Sequence, residues 1–344
     1  MVDNIGGGRK RVVAVIAVVA IVLIASLAVV LSSNNRAEKQ YSVSVEDALG
    51  RNVTMSQLPT RVVSCEPSVT EMVYALGFGQ NLVGVSKNCD YPSEVADKKA
   101  SGALSNVGPY NAPSLEAIVN CTPDLVILDK GVKGQMALLS QLETLGINVL
   151  VLYESTTVEK IFNSIQLVGD AFDKSETAQS VIADISDRIS VIRDAVVGVS
   201  GTMSASYLVG INTIWVGGMD TFANNAMSIA GCTNTFANVS GWVATDLEAL
   251  VDANPDVLIL TASMTGLDAQ GTLDYIESDP VWSEIDAVKN NKVYMLTDRA
   301  SSIFSRPSVT IADCIELLAL MAYPEKFGTT LPQIIGDDYQ SLIE

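Results

Sequence analysis

Leu115–Leu128 reads LEAIVNCTPDLVIL, and Leu247–Leu260 reads LEALVDANPDVLIL. The two align without gaps at a constant offset of 132 residues (247 − 115), with eight of fourteen positions identical. Each reads as a short apolar-periodic helix that ends before a proline, which lacks the N–H and disfavours helix in the residue ahead of it. An aspartate follows, then four apolar residues, the pattern of a strand buried on both faces of a parallel sheet. One such step in each half of a 344-residue chain implies two lobes of similar build.

The flanking sequence extends this pattern. Arg61–Cys65 (RVVSC) predicts a strand, and Ser68 with Glu71 predicts a capping box opening a helix to Leu76, which Gly77 and Gly79 end. Leu82–Ser86 and Asn148–Leu152 predict further strands, with a helix over Gln135–Leu145 between them. The second half begins with a strand near Ser204–Gly210 and continues through a helix ending at Gly231. It closes with a strand at Lys292–Leu296 and a helix over Ser308–Met321. Gly217 and Gly218 predict a turn, and Thr245 with Glu248 a second capping box. Strands alternating with helices give an α/β fold with mainly parallel sheets.

Between the halves, Val158, Ile161, Ile165, Val168 and Phe172 recur at helical spacing, and so do Ile182, Ile185, Ile189, Ile192 and Val196. A helix over Ser175–Val197 would be ~35 Å long, enough to cross from one lobe to the other or to lie along one sheet face. As the crossing element it would allow only small lobe movements.

Composition narrows the function. The chain is 48% hydrophobic and 17% charged, with a net charge of -18 and a pI near 4.3. It carries no basic stripe of the kind that displaces counterions from phosphates, which excludes nucleic acid as a partner. There is no histidine, which removes the commonest general base and metal ligand and every Ser-His or Cys-His pair. No G-x-G-x-x-G follows a strand and no phosphate-binding G-x4-G-K-[ST] is present. The five cysteines, Cys65, Cys89, Cys121, Cys232 and Cys314, match no zinc spacing and read as small buried hydrophobes, with one or two bridges permissible outside the cytoplasm.

At the N-terminus, Arg9, Lys10 and Arg11 precede Val12–Leu31, where Ser26 is the only polar side chain. Twenty helical residues span ~30 Å, the thickness of the hydrocarbon layer. The basic cluster places residues 1–11 in the cytoplasm, a transmembrane anchor over 12–31 and a polar tether over 32–42. A cleaved signal peptide is the alternative, although no A-x-A site and no lipid-accepting cysteine follows Leu31.

Taken together, RVVSCEPSVTEMVYALGFGQNLVGVS (61–86), NCDYPSEV (88–95), the two repeated segments and SDPVWSEIDAVKNNKVYML (278–296) resemble the helical-backbone periplasmic-binding proteins of ABC importers. These are the vitamin B12, haem and ferric-siderophore receptors, and the V-G-V-S-x2-C-D-Y-P run is most similar to the cobalamin-binding branch. The resemblance runs from about Val43 to Phe327. It implies two Rossmann-like lobes (43–156 and 199–344) joined by a helical segment (157–198) that holds one long interlobe helix. Ligand would lie in the cleft, and a permease dimer with its ATPase subunits would be the partner. It further implies permease docking through Glu116 and Glu248, and ligand contact by Tyr110, Trp242, Trp215, Arg306, Asp90 and Tyr91. Tyr110 and Trp242 each lie six residues before their docking glutamate. Tyr110 stands where a tryptophan is common in the family. The expected cargo is a corrinoid, with no resident cofactor and no catalysis. Haem or a ferric siderophore is the alternative within the family, and an extracytoplasmic chelatase-like enzyme the alternative outside it.

Overall fold

The computed structural model describes residues 42–199, 201–210, 213–261 and 266–343. The anchor expected over 12–31 lies outside them, and no described helix is long and apolar enough to cross a membrane. Ile211 and Asn212 also lie outside them.

The chain opens with an antiparallel hairpin that the sequence did not signal, β1 (Val43–Glu46) and β2 (Asn52–Met55). The first sheet is wholly parallel. Its strands are β3 (Val62–Ser64), β4 (Leu82–Val85), β5 (Ser105–Asn106), β6 (Leu125–Asp129) and β7 (Asn148–Leu152), in the order β5-β4-β3-β6-β7. The second sheet holds β8 (Ser204–Val209), β9 (Ile214–Gly217), β10 (Thr233–Asn234), β11 (Trp242–Thr245), β12 (Val257–Thr261), β13 (Val293–Leu296) and β14 (Ile334–Ile335). Its order is β11-β9-β8-β12-β13-β14, with β10 beside β8. It is parallel except where β9 runs against β8 and β11.

Each sheet alternates its side chains between two apolar bodies. In the first, Val63, Val126, Leu128, Val149 and Val151 face an outer layer that includes Ile118 and Leu142. In the second, Leu258, Leu260, Val293 and Met295 pack with Leu250, Ile276 and Trp282. The opposite faces merge. Leu125, Ile127, Leu150 and Leu152 belong to the same buried cluster as Tyr207, Val257, Ile259 and Leu296. That continuity comes from helices shared by both halves, Val158–Ala171, Ser175–Val196 and Ile311–Ala322, whose buried faces enter it.

The Ser175–Val196 helix has the expected span to within one residue. It packs on other helices rather than directly on a sheet face. Ala178 lies so close to Gly169 that a Cβ there would stand 2.4 Å from its methyl, so only glycine permits the crossing. Arg188 reaches from it to Asp313 (2.7 Å) and Glu316 (2.8 Å) on the Ile311–Ala322 helix.

The repeated segment folds as one unit twice, and the offset holds in three dimensions. Ser114 caps the Leu115–Asn120 helix by accepting from the Ala117 N–H, and Asp246 caps Leu247–Ala253 by accepting from that of Ala249. Both helices end in a non-glycine residue with positive φ, Thr122 (45°) and Asn254 (39°). β6 and β12 then begin at Leu125 and Val257. The aspartate after each proline explains why the pair recurs. Asp124 accepts from the N–H groups of Thr60 (2.8 Å) and Arg61 (3.0 Å), just ahead of β3. Asp256 accepts from the N–H (2.8 Å) and hydroxyl (2.7 Å) of Ser204, which starts β8. Each carboxylate thus pins the entry of its strand to the neighbouring central strand.

Several local expectations change. Thr245 lies in β11, so the cap is Asp246 and not a Thr245–Glu248 box. The first-half helix spans Pro67–Ala75 after Glu66, which puts Glu71 beyond the third helical position where a capping-box acid sits. The helix expected over 135–145 breaks into Lys133–Met136 and Leu139–Thr144. Gly217 ends β9 opposite Trp242 instead of turning the chain. All five cysteines are buried and free.

Candidate ligand-binding site

In an open α/β sheet a ligand settles outside the carboxyl ends of the strands, where the strand order reverses. In the first sheet the chain fills β4 and β5 on one side of β3, and then β6 and β7 on the other. Glu66 follows β3 and Asp129 ends β6, so two carboxyl groups stand at the switch point. Burial pushes Glu66 up to about 7. Burial, with repulsion from Glu66 added, pushes Asp129 up to about 8. The fully buried Gln135 organises them: its Oε1 accepts from the Asp129 N–H (2.8 Å), and its Nε2 donates to the Tyr110 carbonyl (2.9 Å) and towards Glu66 (3.4 Å). The backbone at Tyr110 is held from its other side by Asn88, whose Oδ1 accepts the Tyr110 N–H (3.2 Å).

Trp215 and Trp242 lie in the antiparallel β9–β11 ribbon, where Trp242 pairs with Gly217 and Trp215 with Ala244. Side chains alternate along a strand, so the two tryptophans share one face as diagonal neighbours, while Ile214, Val216 and Val243 turn to the outer core. Gly217 leaves room for the indole, since a Cβ there would meet Trp242 at 3.3 Å. Tyr207 meets Trp242 edge-on at 5.7 Å and Phe222 lies tilted at 6.2 Å, so the indole has a fixed seat. Tyr110 (42% exposed), Trp215 (43%) and Trp242 (40%) are all partly accessible, so none of them is wholly a core side chain. No ring contact joins Tyr110 to either tryptophan among the described residues.

The remaining nominated residues come together across the two halves. Arg306 forms a bidentate pair with Asp90, with Nη2 at 3.0 Å from Oδ2, and also donates to the Asn88 carbonyl (3.3 Å). Burial disfavours the ionised Asp90, but the Arg306 guanidinium outweighs it and holds the carboxyl below its usual range. Tyr91 lies with its ring 3.6 Å from Cζ of Arg299. Arg299 itself makes a buried two-point pair with Glu71, at 2.7 and 3.1 Å, to which the Ser308 hydroxyl also donates. Two ion pairs therefore tie the β3–β4 connection (Glu71) and the β4–β5 connection (Asp90) to the Asp298–Ser305 helix after β13 and to Arg306 at its C-terminal end. A buried pair of this kind is costly to break from one side, because the surviving charge is left without a partner.

No local pattern marks Glu71 and Arg299 as partners, or Glu66 and Asp129 as neighbours. Glu71 and Arg299 are 228 residues apart, and only the folded chain joins them. Glu116 and Glu248 are exposed, each the second residue of its repeated helix. Among the described residues no group of three or more Cys, Asp or Glu side chains could hold a metal ion.

The architecture has known counterparts. Residues 62–300 match the model of the periplasmic binding protein family. The uncharacterized ABC transporter substrate-binding lipoprotein YvrC of Bacillus subtilis is 30% identical over 291 residues, covering 83% of this chain and 87% of that protein. A cobalamin-binding protein of Halobacterium salinarum is 27% identical over 233 residues, covering 67% of this chain and 61% of its own. Among solved structures, a periplasmic heme binding protein from Pseudomonas aeruginosa superposes with a TM-score of 0.68 at 22% identity, covering 78% of this chain and 94% of that one, a likeness of fold. The chain belongs to the periplasmic binding protein family.

Proposed function

We propose that the chain is the extracytoplasmic solute-binding component of an ABC importer, carrying a corrinoid in the cleft between lobes 43–156 and 199–344. Residues 12–31 would hold it at the membrane, with the binding domain outside. The observation that carries this reading is the placement of Tyr110 and Trp242. They are exposed aromatics at the same 132-residue offset as the repeat (242 − 110), one for each sheet. Rigid rings give a flat macrocycle large apolar contact with few torsions to freeze. The similarity to the Halobacterium cobalamin-binding protein favours a corrinoid among the cargoes of the family. With no histidine in the chain, a corrinoid would be held by shape and side-chain contacts, without a lower axial imidazole from the protein. Arg306 and Asp90 satisfy one another, which leaves little free positive charge for an anionic siderophore.

Glu116 and Glu248 then serve the permease. A carboxylate at equivalent places on two lobes can pair with one arginine on each permease half and so fix orientation as well as attraction. Their position in a first helical turn also suits the helix dipole, so charge alone does not define the role.

Calorimetric titration of the full chain in detergent with cyanocobalamin, haemin and a ferric hydroxamate siderophore tests the cargo. Saturable binding of cyanocobalamin is expected, and binding of haemin or the siderophore alone would refute the corrinoid. The double variant Glu116→Ala/Glu248→Ala should abolish uptake with unchanged cyanocobalamin affinity; normal uptake would end the docking assignment.

A further inference from the structure

The Glu66–Asp129 pair is built into the loop that carries one of the exposed rings. The helix Lys133–Met136 packs backbone on backbone against that loop, since a Cβ on Gly134 would stand 1.9 Å from the Asn111 carbonyl oxygen. Gln135 on that helix is fully buried, and its Nε2 has two N–H donors for three acceptors. These are the Tyr110 carbonyl at 2.9 Å, the Cys65 carbonyl at 3.4 Å and Glu66 Oε2 at 3.4 Å. Its Oε1 is committed to the Asp129 N–H (2.8 Å), which fixes the end of the amide that faces Tyr110. The charge on Glu66 decides how the donors are shared. A neutral carboxyl leaves the shortest bond on Tyr110, whereas a carboxylate accepts about twice as strongly and draws the amide towards itself.

The surroundings keep the pair protonated. Burial raises Glu66 to about 7 against its hydrogen bonds with Ser68 and Gln135. Burial, then repulsion from Glu66 and Glu154, outweighs the Gly131 N–H and raises Asp129 to about 8. Burial also pushes up the Cys65 thiol just ahead of Glu66, so it adds no charge. Lys130 donates to the Ala48 carbonyl, Lys133 is exposed, and Glu71 on the next helix is paired with Arg299. Among the described residues no cation pairs with Glu66 or Asp129. Glu66 is only partly buried, so a ligand lying over Tyr110 would take away its remaining water and penalise the charged form further. Ligand and proton then favour one another. We propose that Glu66 and Asp129 act through Gln135 as a proton-linked positioning pair for Tyr110: the receptor takes up a proton as it binds its ligand, and ionising the pair loosens its hold. The assignment rests on the corrinoid reading above for the ligand. Affinity is complete while both acids carry protons and is lost as pH rises through their values.

Titrated calorimetrically into the full chain in detergent, cyanocobalamin should bind about tenfold more tightly at roughly pH 6 than at roughly pH 8.5. Repeating the titration at about pH 7.5 in buffers of different ionisation heat should show net proton uptake, which falls away at about pH 5.5. Side chains with a structural role alone would show neither. The double variant Glu66→Gln/Asp129→Asn keeps the shapes and removes both titrations. It should hold the wild type's acid-side affinity across the range and take up no proton. Asp129→Asn alone should keep a smaller pH dependence, centred on Glu66. The wild-type measurement decides even if the double variant fails to fold. Saturable wild-type binding without pH dependence or proton uptake, or uptake that survives in the folded double variant, would overturn the pair and leave the corrinoid receptor standing. Failure of the wild type to bind cyanocobalamin at any pH would instead bring down the corrinoid reading, and the proton linkage with it.

Discussion

In the first copy of the repeated segment, Asp124 holds Thr60 and Arg61; in the second, Asp256 holds Ser204 in the same manner. Caps, left-handed helix ends and strand starts coincide at the 132-residue offset, on different side chains: Ser114 against Asp246, Thr122 against Asn254. At the carboxyl ends of the same strands the copies diverge. Asp129 ends β6 as a buried acid with a raised pKa, and the equivalent residue of β12 is Thr261. The ring upstream is Tyr110 in one half and Trp242 in the other. The end that closes the backbone's hydrogen bonds is maintained, and the end that the proposed ligand would face differs. An asymmetric cargo would need that difference, whereas the strand entries do not.

The sharpest way to break this contrast is pH. The folded pKa of Asp129 lies near 8, above its unfolded value, so the folded state binds the proton more tightly. That contribution is complete below the unfolded pKa, about 4, and is lost as pH rises towards 8. Glu66, raised to about 7, acts in the same direction, so wild-type stability should fall from pH 5 to pH 8 as the pair loses its protons, at up to ~1.4 kcal/mol per unit for each. Asp129→Asn should reduce that slope to the share carried by Glu66, as followed by denaturant unfolding at several pH values, whereas Thr261→Val, in the copy without an acid, should leave it intact. A slope unchanged by Asp129→Asn would place the acid's proton elsewhere.

Next in size are the two strand anchors. Asp124→Ala and Asp256→Ala should each lower unfolding free energy by about 1–3 kcal/mol, the cost of donors left without an acceptor. Similar losses would sharpen the equivalence, and a loss in one copy alone would break it. The caps come last: Ser114→Ala and Asp246→Ala should each cost about 1 kcal/mol. Thermal melts resolve this, and a cap without effect would show that its helix is held by packing instead.

How much of this was legible follows from the range of each interaction. Leu125–Leu128 and Val257–Leu260 announced themselves as buried strands through an unbroken apolar run, and the Ser175–Val196 helix through its 3.6-residue period. Both signals are local. The β1–β2 hairpin carries only weak alternation, and Glu71 reads locally as a cap because its partner lies on a helix far along the chain. The β9–β11 ribbon, which sets Trp215 beside Trp242, depends on pairing across the Phe222–Ile229 helix and gave no local pattern. Tyr110 and Trp242 come from the family resemblance, and the repeat adds that they stand at equivalent places in the two halves.

The central claim is that both halves present a ring to one ligand. Calorimetric titration of cyanocobalamin into the full chain, its Tyr110→Ala and Trp242→Ala variants and the double variant tests it directly. Each single change should weaken binding about tenfold and the double should remove detectable binding; Tyr110→Ala should leave the melting temperature nearly unchanged, whereas Trp242→Ala lowers it somewhat because the indole also packs on Tyr207 and Phe222, so binding is measured well below the melting range. Wild-type affinity in the double variant would contradict the account, since the cargo would then lie away from the rings that the repeat set at equivalent places.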